Sequence, residues 1–317
     1  MMFNFTFTPA RFITCSGLFA GVCAALVSAT ATATATAQQT PSINSDGCYE
    51  HGWSKARLLT LPAKQFQVTA AEQAVLWQQL RFCLAESDPQ IRDDVAFTAY
   101  SHWLRSGVVD PTSALQLLQT MQQDLSAGVD DTNQVYRPFA MLLLSELARL
   151  DRVKPYLTAR QRQQLVQTVA DFLRQLTDLR GFDAKVGWRH GIAHAADAVM
   201  QLALNSAIGR LELLKLRDAL TIHLMPQHHA YTDGEPARLA RALVYLLQRT
   251  EITEQEWQLW LSQASLPPQQ PLYQSRSGLN YLHNSRALWL ETSWLLEQLG
   301  DTRSRQFKAQ LQAQLKQ

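Results

Sequence analysis

The sequence predicts an all-α protein, with antiparallel helix pairs stacked as a superhelix or a closed array in a single domain. Beyond residue 67, apolar residues recur at helical spacing in almost every segment. Helix-start and helix-stop residues separate these segments, and short connections place successive helices antiparallel to one another. No stretch shows sustained apolar–polar alternation or a hairpin dipeptide, so we expect no β-sheet.

The predicted helices begin and end at characteristic residues. Thr69 and Glu72 have the spacing of a capping box, as do Thr253 and Glu256. Two helices open with Asp-Pro and end at glycine, which is the expected order of capping residues. The Pro-rich segment 265–278 predicts a loop before the last helix pair. The predicted helices are 69–87, 88–107, 110–128, 131–150, 158–176, 187–203, 210–225, 234–249, 253–264, 278–299 and 301–316.

The N-terminus has the composition of a secretory signal peptide. Arg11 is the only charged residue among the first 40, and an apolar stretch (12–29) and an alanine–threonine run follow it. We predict a signal peptide at 1–37, a linker and N-terminal segment at 38–66, and the helical domain at 67–317. Cleavage after Ala37 would give a periplasmic or secreted protein with no stable membrane span. The alternative is an uncleaved membrane anchor, since 18 mostly apolar residues can just cross a bilayer.

The charge pattern argues against a nucleic-acid partner. Removing residues 1–37 takes away one arginine and no acidic residue, so the formal net charge falls from +2 to +1. Charges of both signs are mixed along the chain, without the basic stripe that is typical of nucleic-acid-binding proteins. We therefore expect an unidentified protein or small molecule as the partner.

Export affects the interpretation of the cysteines. Cys15 and Cys23 lie within the predicted signal, which leaves Cys48 and Cys83. In an oxidising compartment these two favour a disulfide that would attach the N-terminal segment to the first long helix. The alternative is two unpaired cysteines, with Cys83 packed as a small apolar side chain.

The segment 187–203 carries the candidate site. On one continuous helix, His190, His194, Asp197 and Gln201 share a face, while alanines and aliphatic residues cover the rest. A helix that is small or apolar nearly all round is buried, so these polar side chains need partners. Three interpretations remain open: a structural hydrogen-bond network, a site for one divalent metal ion, and acid–base catalysis by a histidine–aspartate pair.

Helix geometry restricts the metal interpretation. His190 and Asp197 are about 10.5 Å apart along a straight helix axis, so all three residues cannot easily bind one ion. A further ligand would come from another segment, and Glu235 is the candidate carboxylate.

The sequence predicts four further residues around the polar pocket. Asp178 and Arg180 lie in the turn before the predicted helix, and Trp188 lies two positions before His190. Glu235 and Arg238 have the spacing of a local ion pair near a helix start. We expect Asp178, Arg180, Trp188 and Arg238 to line the pocket, with Trp188 at its wall.

These motifs resemble an uncharacterised bacterial family, domain of unknown function 2785, across roughly residues 70 to 295. The resemblance implies an all-helical, HEAT-like fold without a known activity, and it implies that the motifs form one site. Arg189 departs from the small residue expected at its position. The matching motifs are Asp178-x-Arg180-Gly181, Gly187-Trp188-x-His190, Ala193-His194-x-Ala196-Asp197 and Glu235-x-x-Arg238-Leu239-Ala240.

Two functions are compatible with these observations. The helix-pair architecture without a complete catalytic motif favours a binding or scaffold module. The alternative is a hydrolase, with or without a metal ion, in which His190, His194 and Asp197 act together with Glu235.

Overall fold

The computed structural model describes residues 43–129, 131, 133–268 and 271–315. The predicted signal peptide at 1–37 lies outside these residues. The described chain is all-α, as predicted, and its connections are short. Its α-helices are α1 (Lys55–Leu58), α2 (Ala70–Cys83), α3 (Thr98–Ser106), α4 (Pro111–Ser126), α5 (Tyr136–Val153), α6 (Ala159–Gln175), α7 (Gly191–Ala203), α8 (Arg210–Thr221), α9 (Glu235–Leu247), α10 (Glu254–Ala264), α11 (Arg276–Leu299) and α12 (Thr302–Gln314).

Side-chain caps begin several of these helices. The predicted capping boxes are present at α2 and α10, and Thr158 with Gln161 forms a third at α6. Asp110 caps α4 by accepting from the backbone N–H of Thr112 and of Ser113. These local bonds satisfy N–H groups that a helix start leaves without partners, which explains why the sequence located these starts well.

The helix predicted at 88–107 is wound in two different ways. Its first part, Gln90–Phe97, is a π-helix, and α3 continues directly from it. The wider turn changes which side chains face inward, and Arg92 becomes fully buried. No local sequence signal distinguished this winding from an α-helix.

Helix α7 is the centre of the packing, between α5 and α9, and α11 packs on the other side of α9. The alanines at 193, 195, 196 and 198 are completely buried. Small side chains let the neighbouring helix backbones approach closely, which fixes the residues at the start of α7 against α5 and α9.

The expectation of no β-sheet was wrong. β1 (Phe182–Asp183) pairs antiparallel with β2 (Gly187–Trp188), with Phe182 opposite Trp188. The Asp183 carboxylate accepts from the backbone N–H of Lys185 and of Val186, and this turn connects the strands. With two residues per strand, the ribbon is too short for alternation to show in the sequence.

None of the helices in the described part of the chain combines the length and apolar character needed to cross a bilayer.

The predicted disulfide between Cys48 and Cys83 is present. Cys48 belongs to a short 3₁₀-helix, Asp46–Tyr49, and Cys83 is the last residue of α2. The Gln79 side-chain amide donates to the Cys48 carbonyl at 2.6 Å. The N-terminal segment is therefore attached to α2 by a covalent bond and a buried hydrogen bond.

Removing this bridge should destabilise the protein. For cysteines 35 residues apart, the chain-entropy model gives a loss of about 3–4 kcal/mol for the Cys48→Ala/Cys83→Ala variant. Urea unfolding with and without reductant measures this loss. Reductant should destabilise the wild type and leave the double variant unchanged, and equal stability of the two oxidised proteins would contradict the assignment.

Candidate functional site

The structure changes the geometry predicted for the histidines. Helix α7 begins at Gly191, and His190 precedes it in a left-handed conformation with φ of 51°. The backbone N–H groups of Arg189 and His190 both donate to the Gly181 carbonyl, at 2.8 and 3.3 Å. The prediction that His190, His194 and Asp197 share one continuous helix face was therefore wrong, because the backbone hydrogen bonds to Gly181 turn the chain before the helix begins.

The two imidazoles nevertheless lie close together. The rings of His190 and His194 are stacked, with centroids 5.9 Å apart and an interplanar angle of 26°. His194 Nδ1 lies 3.1 Å from the Pro138 carbonyl of α5. Since a carbonyl can only accept, Nδ1 carries the proton and Nε2 keeps its lone pair. Burial places the pKa of His194 well below its ordinary value, so this ring is neutral at pH 7.

Asp197 pairs with an adjacent helix. Its two carboxylate oxygens accept from Nε and from a terminal nitrogen of Arg238 on α9, and the Nε bond is 2.8 Å long. The local ion pair anticipated between Glu235 and Arg238 is absent from the described chain, because Arg238 points toward α7 instead. This contact joins α7 to α9, as a structural network predicts.

The metal hypothesis loses its predicted carboxylate ligand to this ion pair. Within the ranges that the structure describes, no three His, Cys, Asp or Glu side chains are grouped as a metal site would require. His190 and His194 remain adjacent, but Asp197 is held by Arg238. The arrangement therefore offers two neighbouring imidazoles rather than a set of three ligands.

Glu235 is completely buried at the first position of α9. Its Oε2 accepts from the backbone N–H of Asp233 at 2.9 Å, and its Oε1 has no donor among the described residues. A Cβ atom at Gly181 would come within 2.2 Å of Oε1. Only glycine therefore fits at position 181. Burial also raises the pKa of the Glu235 carboxyl group. The carboxyl group faces protein backbone and is closed to a substrate.

Asp178 and Arg180 form an ion pair in the turn after α6. The Arg180 guanidinium donates to both Asp178 oxygens, at 2.8 and 2.6 Å, and to Gln134 Oε1 at 2.6 Å. Arg189 is buried and donates to the carbonyls of Asn133 and Gln134. These contacts attach the segment before α7 to the segment before α5.

Three long-range contacts hold the ribbon. The buried Arg92 guanidinium donates to the carbonyls of Val186 and Trp188 at 2.9 and 3.3 Å. On the other strand, the Phe182 N–H donates to the Asp233 carboxylate at 3.0 Å. Sequence reasoning missed Arg92, because one arginine in a helical segment carries no sign of burial.

The ribbon presents two aromatic side chains to solvent. Phe182 is 53% exposed and Trp188 is 43% exposed. Their ring centroids are 5.0 Å apart at 74°, and Trp188 lies 4.4 Å from the His190 ring at 65°. Phe182, Trp188 and His190 therefore form a continuous face, called here the aromatic face. No sequence motif marked Phe182, and only the pairing with Trp188 makes it a site residue.

The charges of the arginines around the aromatic face are compensated by carboxylates. Burial, followed by the positive charge of Arg238, lowers the pKa of His190 to about 4, so its ring is neutral at pH 7. Each arginine near the histidines is paired with a carboxylate: Arg92 with Asp93, Arg180 with Asp178, Arg189 with Asp183 and Arg238 with Asp197.

The depressed pKa of His190 predicts destabilisation by acid. The unfolded chain binds this proton near the ordinary value of 6.5, whereas the folded protein binds it only near about 4. The contribution of His190 to stability is therefore full above pH 6.5 and falls as the pH drops from 6.5 to about 4. In urea unfolding over this range, His190→Asn should flatten the pH dependence, since asparagine tolerates the left-handed conformation. His51→Asn, at an exposed turn, is the control, and an unchanged slope in His190→Asn would contradict the assignment.

Comparison with known proteins gives one family. The model of the family described as "Protein of unknown function (DUF2785)" matches residues 124–291. The matched region contains the ribbon, both histidines, Asp197 and Arg238, while Arg92 and the disulfide lie outside it. No curated protein and no solved structure matches the chain. Because the family model covers more than half of the sequence, the chain belongs to the DUF2785 family.

Proposed function

We propose that this protein is an exported binding module that holds an uncharged saccharide on the aromatic face. The observation that carries the proposal is the exposed Phe182–Trp188 pair on a ribbon held by the buried Arg92 guanidinium. The Cys48–Cys83 bridge and the composition of residues 1–37 support export. Recovery of the protein from the cytoplasm alone would contradict that part of the proposal.

The anchoring favours binding because it fixes the exposed rings before a ligand arrives. A ribbon with two residues per strand has little stability of its own. Here its position is set by Arg92 and Asp233, which contact opposite strands. A surface that is already ordered loses less conformational entropy on binding, so more of the contact energy appears as affinity.

The chemistry of the face fits a sugar ring. A pyranose has a flat C–H face that packs on an aromatic ring, and a rim of hydroxyl groups that donate and accept hydrogen bonds. The neutral imidazole of His190 beside Trp188 carries one donor and one acceptor nitrogen, and 9% of this residue is exposed at the edge of the face. Since the nearby arginines are already paired, no unpaired arginine at the histidines favours an anionic ligand.

Hydrolysis has less support in this geometry. It requires an acid or base that reaches the substrate, and Glu235 is 0% exposed behind Gly181. Asp197 is likewise held by both of its oxygens in the contact with Arg238. The histidine of the aromatic face, His190, is neutral, which suits hydrogen bonding to a ligand.

Removing the Trp188 ring should weaken saccharide binding. Calorimetric titration with neutral cello-, chito- and malto-oligosaccharides should identify a ligand for the wild type, and Trp188→Ala should lower that affinity by about ten-fold or more. The free energy of unfolding should change little, since the ring is 43% exposed. Trp294→Ala is the matched control, because Trp294 is 58% exposed on α11, outside the face.

Two results would contradict the proposal. One is the absence of binding to every neutral oligosaccharide at millimolar concentration. The other is an equal loss of affinity in Trp188→Ala and Trp294→Ala, which would separate binding from the aromatic face.

A further inference from the structure

A pocket separate from the aromatic face lies between the segment before α5 and the C-terminal end of α6. It is a pocket of about 330 Å³, a volume that suits a small molecule. Val129, Pro138, Phe172 and Leu176 provide apolar contacts in its wall, and Arg137 is also part of it. None of the three residues of the aromatic face lines this pocket.

Arg137 differs from the arginines around the histidines. Its guanidinium is half-buried and makes no ion pair among the described residues, although one terminal nitrogen donates to the Leu125 carbonyl at 3.1 Å. The Asp131 carboxylate accepts from the backbone N–H of Arg137 instead. Burial lowers the pKa of Arg137. The Asp131 carboxylate attracts this guanidinium without forming an ion pair with it among the described residues. A partly desolvated guanidinium that faces a pocket and has no ion-pair partner is a ready anchor for an anion.

Two independent features favour an anion at this pocket. Arg189 also lines it and is only 7% exposed. Its charge is paired with Asp183, but its Nε has no acceptor within the described chain and is a free donor. Gly191, the first residue of α7, lines it as well. His190 does not cap α7 with its side chain, so the helix start keeps its partial positive charge.

The acidic residues of the pocket limit the charge of the ligand. Asp131 and Asp178 are both in the wall. Asp178 is held by Arg180, and Asp131 accepts from backbone N–H groups at the start of α5. Two nearby carboxylates disfavour a dianion such as phosphate, whereas a single carboxylate can contact Arg137 alone.

We infer that this pocket binds the carboxylate of a small organic acid, whose apolar body packs against Val129, Phe172 and Leu176. The Arg137 guanidinium receives the carboxylate, and the start of α7 adds a favourable dipole. The inference is independent of the saccharide proposal, because the two sites share no residue.

A matched pair of ligands tests the role of the charge. N-acetyl-leucine and N-acetyl-leucinamide have the same body and differ in the carboxylate alone. In calorimetric titration of the intact protein, the acid should bind at least about ten-fold more tightly than the amide. Equal binding of the two, or no binding of either at millimolar concentration, would overturn the inference.

Variants of the intact protein test the anchor. Arg137→Gln should weaken binding of the acid by about ten-fold or more and leave binding of the amide unchanged. Arg137→Lys keeps the charge and should lose less affinity, which also covers the case in which Arg137→Gln folds poorly. Arg160→Gln, at an exposed position of α6 outside the pocket, is the control. An equal loss in Arg160→Gln, or none in either Arg137 variant, would contradict the assignment.

Discussion

The geometry of the site depends on the hydrogen bonds that the buried guanidinium of Arg92 makes to the ribbon. It donates to the carbonyls of Val186 and Trp188, forms an ion pair with Asp93, and lies over the Phe139 ring at 4.6 Å. The ribbon has too few backbone bonds to persist alone. The position of the ribbon, and with it the orientation of Trp188, therefore depends on the buried Arg92 side chain, which is distant from the ribbon in sequence.

Two backbone features make this contact geometrically feasible. The π-helix over Gln90–Phe97 begins beside Pro89 and contains Arg92. Gly187 sits against it with φ of 71°, and a Cβ there would come within 2.9 Å of Pro89 Cγ. A larger residue at 187 would be strained in its backbone and would separate the ribbon from the π-helix. The irregular winding and the glycine thus serve the same contact from opposite sides.

Features that depend on contacts between neighbouring residues could be predicted from the sequence better than features that depend on contacts between distant residues. Helix starts such as Thr69 depend on bonds within a few residues, and the Cys48–Cys83 bridge followed from compartment and cysteine number, so both could be predicted. The ribbon and the turn at His190 could not. They depend on Arg92, which contacts Val186 across 94 positions of sequence, and on bonds from the turn to Gly181. The two residues of the Asp197–Arg238 pair are 41 positions apart. The sequence shows that both side chains are charged but does not show that they pair.

The most direct test of this account is hydrogen exchange, measured by mass spectrometry, on an Arg92→Met variant. Methionine preserves apolar bulk against Phe139 but removes every donor to the ribbon. We predict that amides in residues 181–190 exchange at least about ten-fold faster than in the wild type, while amides of α9 keep their protection. Unchanged exchange in 181–190 would contradict the central claim that Arg92 holds the site, and so would an equal loss of protection in α9.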